Sequence, residues 1–79
     1  MPTVPKIPGP DRLFFDSFDC HEPPHVHVRR ERMVCTFWLT PVASSVNHGL
    51  SPRALHQIRA LIVEHLARLL EAWHDHCGE

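Results

Sequence analysis

The chain of 79 residues is long enough for one domain, and it carries a net charge of −1 when its eight histidines are neutral. That balance excludes a strongly basic nucleic-acid coat protein and an acidic tail. The sequence has no apolar run of bilayer-spanning length and no signal-peptide pattern, and its three cysteines are an odd number without framework spacing. We therefore expect a single domain, residues 1–79, in the reducing cytoplasm, with no membrane partner.

A proline-rich arm, residues 1–11, comes first and is expected to run extended, adding to a sheet edge through Val4 and Ile7. Apolar and β-branched stretches separated by turn residues then predict an antiparallel meander of three or four strands over residues 12–46. The strands are placed at residues 12–18, 25–29 and 33–39, with a short edge strand or turn at residues 42–46.

The C-terminal third predicts one long helix over residues 51–77. Ser51 can cap its first turn, and Pro52 suits the first helical position. Apolar residues recur every three or four positions from Leu55 to Trp73, which indicates one face of a helix. A glycine follows near the C-terminus, where helices commonly end. The predicted fold class is therefore α+β, a small antiparallel sheet packed by one long C-terminal helix.

The stretch Cys20–Val28 holds three histidines around a Pro-Pro pair. His25 and His27 alternate with valines, and alternate residues of a strand share a face. The two imidazoles are therefore expected side by side, while the valines enter the core. The two prolines remove two backbone donors and keep the approach to the strand extended, which fixes the position of His21 relative to the pair.

Three interpretations of these histidines stay open. His25 and His27 could bind Zn²⁺, because imidazoles two residues apart on a strand can reach one ion. The third ligand would be His21, or alternatively Cys20 or His65. Alternatively, His25 and His27 could act as general acid and general base on RNA or a nucleotide, with His65 of the helix in support. In the structural interpretation, one histidine bonds a backbone carbonyl and another lies exposed.

A basic turn follows the histidines. In the catalytic interpretation, Arg29 and Arg30 would bind the phosphate of the substrate, whereas the alternative is a solvated loop. The competing class of function is a non-catalytic module. Such a module would bind a partner protein, or a second copy of the chain as a homodimer, through a sheet edge or the proline-rich arm.

Several segments of the chain match a known family pattern. They are Cys20–Val28, Phe37–Leu39, Asn47–Ser51, Glu64–His65 and Glu71–His74. With these segments the chain resembles a family of small bacterial proteins, the domain of unknown function DUF 4160, over residues 2–77. The resemblance implies that certain positions are characteristic of the family; these are His21, Pro23, Pro24, His25, His27 and His65.

The same resemblance implies a partner. Members of the family are often encoded beside a second small family, DUF 2442, in an arrangement similar to a toxin–antitoxin or related two-gene module. The chain departs from the pattern at Cys20, since many members place an aspartate or asparagine directly before the first histidine. The resemblance leaves open whether the protein is an enzyme.

Overall fold

Four antiparallel strands form one sheet in the order β1-β2-β3-β4. The computed structural model describes residues 3–4, 7, 9–16 and 19–78. The strands are β1 (Arg12–Phe14), β2 (His25–Arg30), β3 (Met33–Leu39) and β4 (Val42–His48). The predicted meander is confirmed, and its fourth segment is a full strand. The predicted end of the first strand, at Ser17 and Phe18, lies outside the described residues.

Strict alternation along the two central strands divides the sheet into two faces. Val26 and Val28 of β2 pair with Phe37 and Cys35 of β3, and all four side chains are buried. This face packs against the buried apolar residues of the C-terminal helices. His25 and His27 lie at the alternate positions, on the other face of the sheet, as the sequence predicts. Their partners on β3, Trp38 and Thr36, lie on that same face.

Two helices, not one, follow the sheet. They are α1 (Pro52–Glu64) and α2 (Leu66–Cys77), so the prediction of a single long helix is wrong. The Ser51 cap is confirmed, because its hydroxyl accepts a hydrogen bond from the Ala54 N–H at 3.1 Å. The backbone leaves the helical region at His65 (φ −107°, ψ 19°). No proline or glycine stands there, so the sequence contains no signal for the interruption.

The N-terminal arm covers one edge of the sheet. Thr3 forms an isolated antiparallel bridge with Phe14, and the Val4 N–H donates to the Leu13 carbonyl at 2.9 Å. Val4 is buried, and Ile7 packs against the core. The expectation that the arm adds to a sheet edge is confirmed for Val4, whereas Ile7 contributes to the core and forms no described bond to the edge strand. In this way the edge at β1 gains a partner within its own chain.

A disulfide joins Cys20 to Cys77, while Cys35 is a buried free thiol. The odd cysteine count is therefore a poor guide, since one pair is bonded and the third cysteine is buried in the core. The pair is 57 residues apart, and no spacing rule connects positions so distant. The cysteine argument for a reducing compartment no longer holds. Neither described helix has the length and apolar character to span a membrane.

Alkylation tests the disulfide. Denatured protein without reductant should take up one alkyl group, at Cys35, and reduced protein should take up three. In the folded protein this thiol should resist alkylation near pH 8, because burial raises the pKa of Cys35 to about 11. Replacing Cys20 and Cys77 together by serine should lower the free energy of unfolding by about 4 kcal/mol, since a long loop is released. Three alkyl groups without reductant would contradict the pairing.

Candidate functional site

Asp19 is a buried carboxylate in a loop between two strands. It begins a short 3-10 helix, Asp19–His21, that connects β1 to β2, and only 5% of its surface is exposed. The Asp16 N–H donates to Asp19 Oδ2 at 2.6 Å, and the Asp19 N–H donates back to the Asp16 carbonyl at 3.1 Å. These reciprocal bonds form a tight turn that fixes the direction of the carboxylate.

Both strand histidines point a ring nitrogen at that carboxylate. His25 Nε2 lies 3.1 Å from Asp19 Oδ1, and His27 Nε2 lies 3.0 Å from both carboxylate oxygens. The two imidazole centroids are 5.3 Å apart, with the rings nearly perpendicular. One ligand atom from each of Asp19, His25 and His27 therefore falls within 4.8 Å of the others. This group is called the Asp-His-His cluster below.

The outer nitrogens of the two rings are also bonded. His25 Nδ1–H donates to the Pro23 carbonyl at 2.8 Å, and His27 Nδ1 lies 3.1 Å from Thr36 Oγ1. A carbonyl oxygen can only accept, so Nδ1 of His25 must carry a proton. In the neutral ring Nε2 then carries no hydrogen, and its lone pair faces the Asp19 carboxylate. That contact is favourable only when a proton or a cation lies between the two atoms.

Aromatic rings enclose the cluster. His25 is packed between Trp38 and Trp73, each with its ring centroid 5.3 Å away, and only 4% of its side chain is exposed. Phe14 stacks on His27 with a centroid distance of 5.4 Å. The His27 side chain is 22% exposed, so it forms the open side of an otherwise enclosed site.

Burial and hydrogen bonding act in opposite directions on Asp19. Burial raises the pKa of the Asp19 carboxyl, but the Asp16 N–H, the His27 hydrogen bond and the charges of both histidines lower it more. The net pKa lies below its ordinary value, so the carboxylate is ionised at neutral pH. An ionised carboxylate and two imidazoles directed at one point are a ligand set that zinc accepts.

Comparison with protein families gives one match. The model of DUF4160, a domain of unknown function, covers residues 12–74 of the 79-residue chain. The chain belongs to this family. Curated proteins and solved structures give no match. Membership confirms the resemblance found in the sequence, and it assigns no chemistry to this DUF4160 chain.

The structure brings together two of the histidines that the sequence singled out. His21 is exposed on the 3-10 helix and is not a member of the Asp-His-His cluster. His65 lies at the junction of α1 and α2, half-buried, with Nε2 3.8 Å from Glu64 Oε2. It forms no hydrogen bond through Nε2 to any described residue. The structure places neither residue beside the pair.

The two arginines proposed to bind phosphate lie on opposite faces of the sheet. Arg30 forms a two-point ion pair with Asp11, at 2.6 and 2.9 Å, and also donates to Gln57. Its guanidinium is therefore occupied by the fold. Arg29 alternates onto the face of His27, is exposed, and donates only through Nε to the Glu31 carbonyl at 3.0 Å. Of the pair, Arg29 is the one available to a ligand.

Sequence reasoning missed Asp19, which it assigned to a turn. The resemblance implies an aspartate or asparagine directly before the first histidine, and the departure from it at Cys20 does not by itself point to Asp19. The chain supplies a carboxylate one position earlier, at Asp19. The disulfide of Cys20 and the hydrogen bond from His76 Nε2–H to the Asp16 carbonyl at 3.0 Å tie this loop to α2.

The Asp19→Asn variant tests the electrostatics. Because the folded-state pKa of Asp19 is lowered, its ionised form stabilises the fold fully above the unfolded pKa of about 3.9, and this contribution is lost as pH falls through the folded value. The free energy of unfolding of the wild-type protein should therefore exceed that of Asp19→Asn by roughly 1.5–3 kcal/mol at pH 7. Below about pH 4 the difference should shrink.

Urea unfolding from pH 7 to pH 3 measures this difference. Asp75→Asn, at an exposed position on α2, is the matched control and should stay within about 0.5 kcal/mol of wild type. A gap between wild type and Asp19→Asn that widens on acidification would show that burial, not the bonds to the carboxylate, dominates.

Proposed function

We propose that the Asp-His-His cluster binds a divalent transition-metal ion, with Zn²⁺ the first candidate, and that this centre acts on a phosphoester of RNA or a nucleotide. The observation that carries the proposal is the convergence of Asp19, His25 and His27 within 4.8 Å. Three protein ligands with one open position are the arrangement of catalytic zinc sites, whereas structural zinc sites use four.

The orientation of the ring nitrogens of His25 and His27 favours a metal centre over direct acid–base catalysis by these histidines. Both nitrogens of His25 and both nitrogens of His27 face protein groups, namely Pro23, Thr36 and Asp19. A general acid or base needs a nitrogen within reach of the substrate, and none of the four is directed outward. A metal ion uses the two inward nitrogens where they stand.

The outer contacts support the same assignment. A metal-bound histidine usually donates its second ring N–H to a carbonyl or another acceptor, which fixes the tautomer. His25 makes that bond to Pro23, and Thr36 is placed to accept one from His27. With both Nδ1 atoms protonated, both Nε2 lone pairs face the centre. The ion would take the place of a proton between His25 Nε2 and Asp19.

The open position explains how such a centre could hydrolyse a phosphoester. A divalent ion held by Asp19, His25 and His27 would lower the pKa of a bound water to about 7 and so would supply a nucleophile for the phosphorus at neutral pH. His27 is the exposed member of the cluster, so the substrate would approach from its side.

The proposal includes a cellular role for the chain, together with a small partner protein. The family resemblance supports a toxin–antitoxin-like two-gene module, in which this chain would act in the cytoplasm with a small partner of the DUF 2442 type. Strand β4 offers such a partner an edge, because every residue of it beyond Val42 is exposed. Pairing with this edge is also the observation that favours a non-catalytic binding module as the second candidate function.

Zinc binding tests the metal centre first. Metal-free wild-type protein, titrated with Zn²⁺ against a chromophoric chelator, should bind one ion tightly. Asp19→Asn and His27→Ala should lose more than the roughly 10–100-fold in affinity expected for Thr36→Val, which removes only an outer bond. His56→Ala, an exposed histidine of α1, is the matched control and should bind as wild type does.

The ranking of these variants decides the outcome. Circular dichroism should show the same fold for all four, since each change removes few atoms. Equal zinc affinity in wild type, Asp19→Asn and His27→Ala would place the ion elsewhere and remove the proposed centre.

Growth of bacteria tests the activity. Induced expression of the wild-type chain should arrest growth, as expected for the toxic half of a module. Asp19→Asn, at equal soluble level, should not, because its centre lacks the anionic ligand. His56→Ala should arrest growth like wild type. Arrest by Asp19→Asn would rule out the cluster as the cause, and no arrest by any variant would favour the non-catalytic binding module.

A further inference from the structure

We propose that Arg12 and Arg29 form an anion site on the open sheet face that binds a phosphate of a nucleotide or of single-stranded RNA beside the Asp-His-His cluster. This inference rests on the proposed function, because it supplies the substrate site of that centre. Arg12 was not a candidate from the sequence. Pairing of β1 with β2 brings it to Arg29.

The register sets the two arginines opposite each other. Arg12 is the cross-strand partner of Arg29, and Phe14 is the partner of His27. Directly opposed residues share a face of the sheet, with Cβ atoms about 4.5–5.5 Å apart. The arginine pair therefore lies on the same face as the exposed histidine of the cluster, two residues along each strand.

Two like charges opposite each other destabilise a sheet unless something offsets them. Among the described residues, neither Arg12 nor Arg29 forms an ion pair with a carboxylate. Each guanidinium donates through Nε alone, to Thr3 Oγ1 and to the Glu31 carbonyl respectively, both at 3.0 Å. Arg30, by contrast, is fully paired with Asp11. The opposed pair is the arrangement that a bound anion would stabilise.

The strands contribute no carboxylate to this face, and the Asp19 carboxylate of the cluster is buried. The four strands together include no aspartate or glutamate. On β4, Val46 is opposite Thr36 and is 44% exposed. A ligand that lies across β1 and β2 on this face therefore meets two exposed cationic side chains, Arg12 and Arg29.

A row of stacked groups connects the arginines to the cluster. The Arg12 guanidinium carbon is 5.4 Å from the Phe14 ring centroid, and Phe14 stacks on His27 at 5.4 Å. Two residues of strand span about 7 Å, so a phosphate on the arginines would place a neighbouring phosphoester at the exposed edge of His27. This is the position that the open side of the centre requires.

The same sheet face continues beyond the cluster to Trp38. Trp38 is half-buried on the same face, opposite His25, and it lines a shallow hollow with Pro23, Pro24 and Pro41. Aromatic side chains on open sheets stack nucleic-acid bases without sequence preference. Arginine pairs bind phosphate through several N–H groups at once. Together these groups favour a nucleotide chain over a simple carboxylate.

Fluorescence anisotropy with a labelled eight-nucleotide single-stranded RNA tests the site. Arg12→Gln and Arg29→Gln should each weaken binding roughly tenfold, as expected for loss of a charged hydrogen bond. The slope of log affinity against log salt should fall by about 0.7 for each arginine removed. Arg59→Gln, at an exposed position of α1, removes the same charge elsewhere and should leave affinity and slope unchanged.

Competition identifies the source of the phosphate. If unlabelled uridine monophosphate or inorganic phosphate displaces the RNA at comparable concentration, the site takes single phosphates. If only the unlabelled oligonucleotide does so, the site extends along a strand towards Trp38. Either result supports the anion site and selects its ligand.

Failure of this site can be distinguished from failure of the metal centre. All titrations are repeated with chelator and with Asp19→Asn, in which the arginines are intact, and RNA binding should persist in both. In the Arg12→Gln/Arg29→Gln double variant, zinc stoichiometry should remain one. No binding by wild type at low salt, or an equal loss in the double variant and in Arg59→Gln, would overturn the anion site whatever the zinc titration shows.

Discussion

An ionised carboxylate enclosed by protein has to be compensated, because its removal from water costs several kcal/mol. In this domain the compensation of Asp19 organises the region around it. One backbone N–H and two imidazoles point at its oxygens, and they hold its pKa below the ordinary value. Through these contacts the Asp19 carboxylate connects the loop before β2 to two side chains of β2.

The loop that carries Asp19 is bonded to the C-terminal helix α2. Asp19 is followed by Cys20, which is bonded to Cys77 at the end of α2, and the preceding turn accepts a hydrogen bond from His76. Trp73 of the same helix lies against His25. A domain of this size buries too little surface to be rigid everywhere. Here the last turns of α2 support the loop that a functional site would need fixed.

Local patterns predicted what depends on local physics. Alternation placed His25 and His27 on one face, and the spacing of apolar residues located the helical segments. The remainder depends on contacts between distant residues. Asp19 reaches the histidines only through the fold of its loop, Cys77 meets its partner only when α2 docks, and the chain leaves the helix at His65 without any breaker residue. No spacing rule contains these contacts.

Register connects stability and chemistry in β2. A slip of one residue would exchange the faces of the strand, exposing Val26 and Val28 and burying the imidazoles in an apolar core without Asp19. Both valines are fully buried, so their burial penalises that slip. The core residues therefore select the arrangement that directs His25 and His27 towards the carboxylate. The register that fills one face of the sheet thus positions the two imidazoles on the other face, while the disulfide and the His76 hydrogen bond hold the loop that carries Asp19.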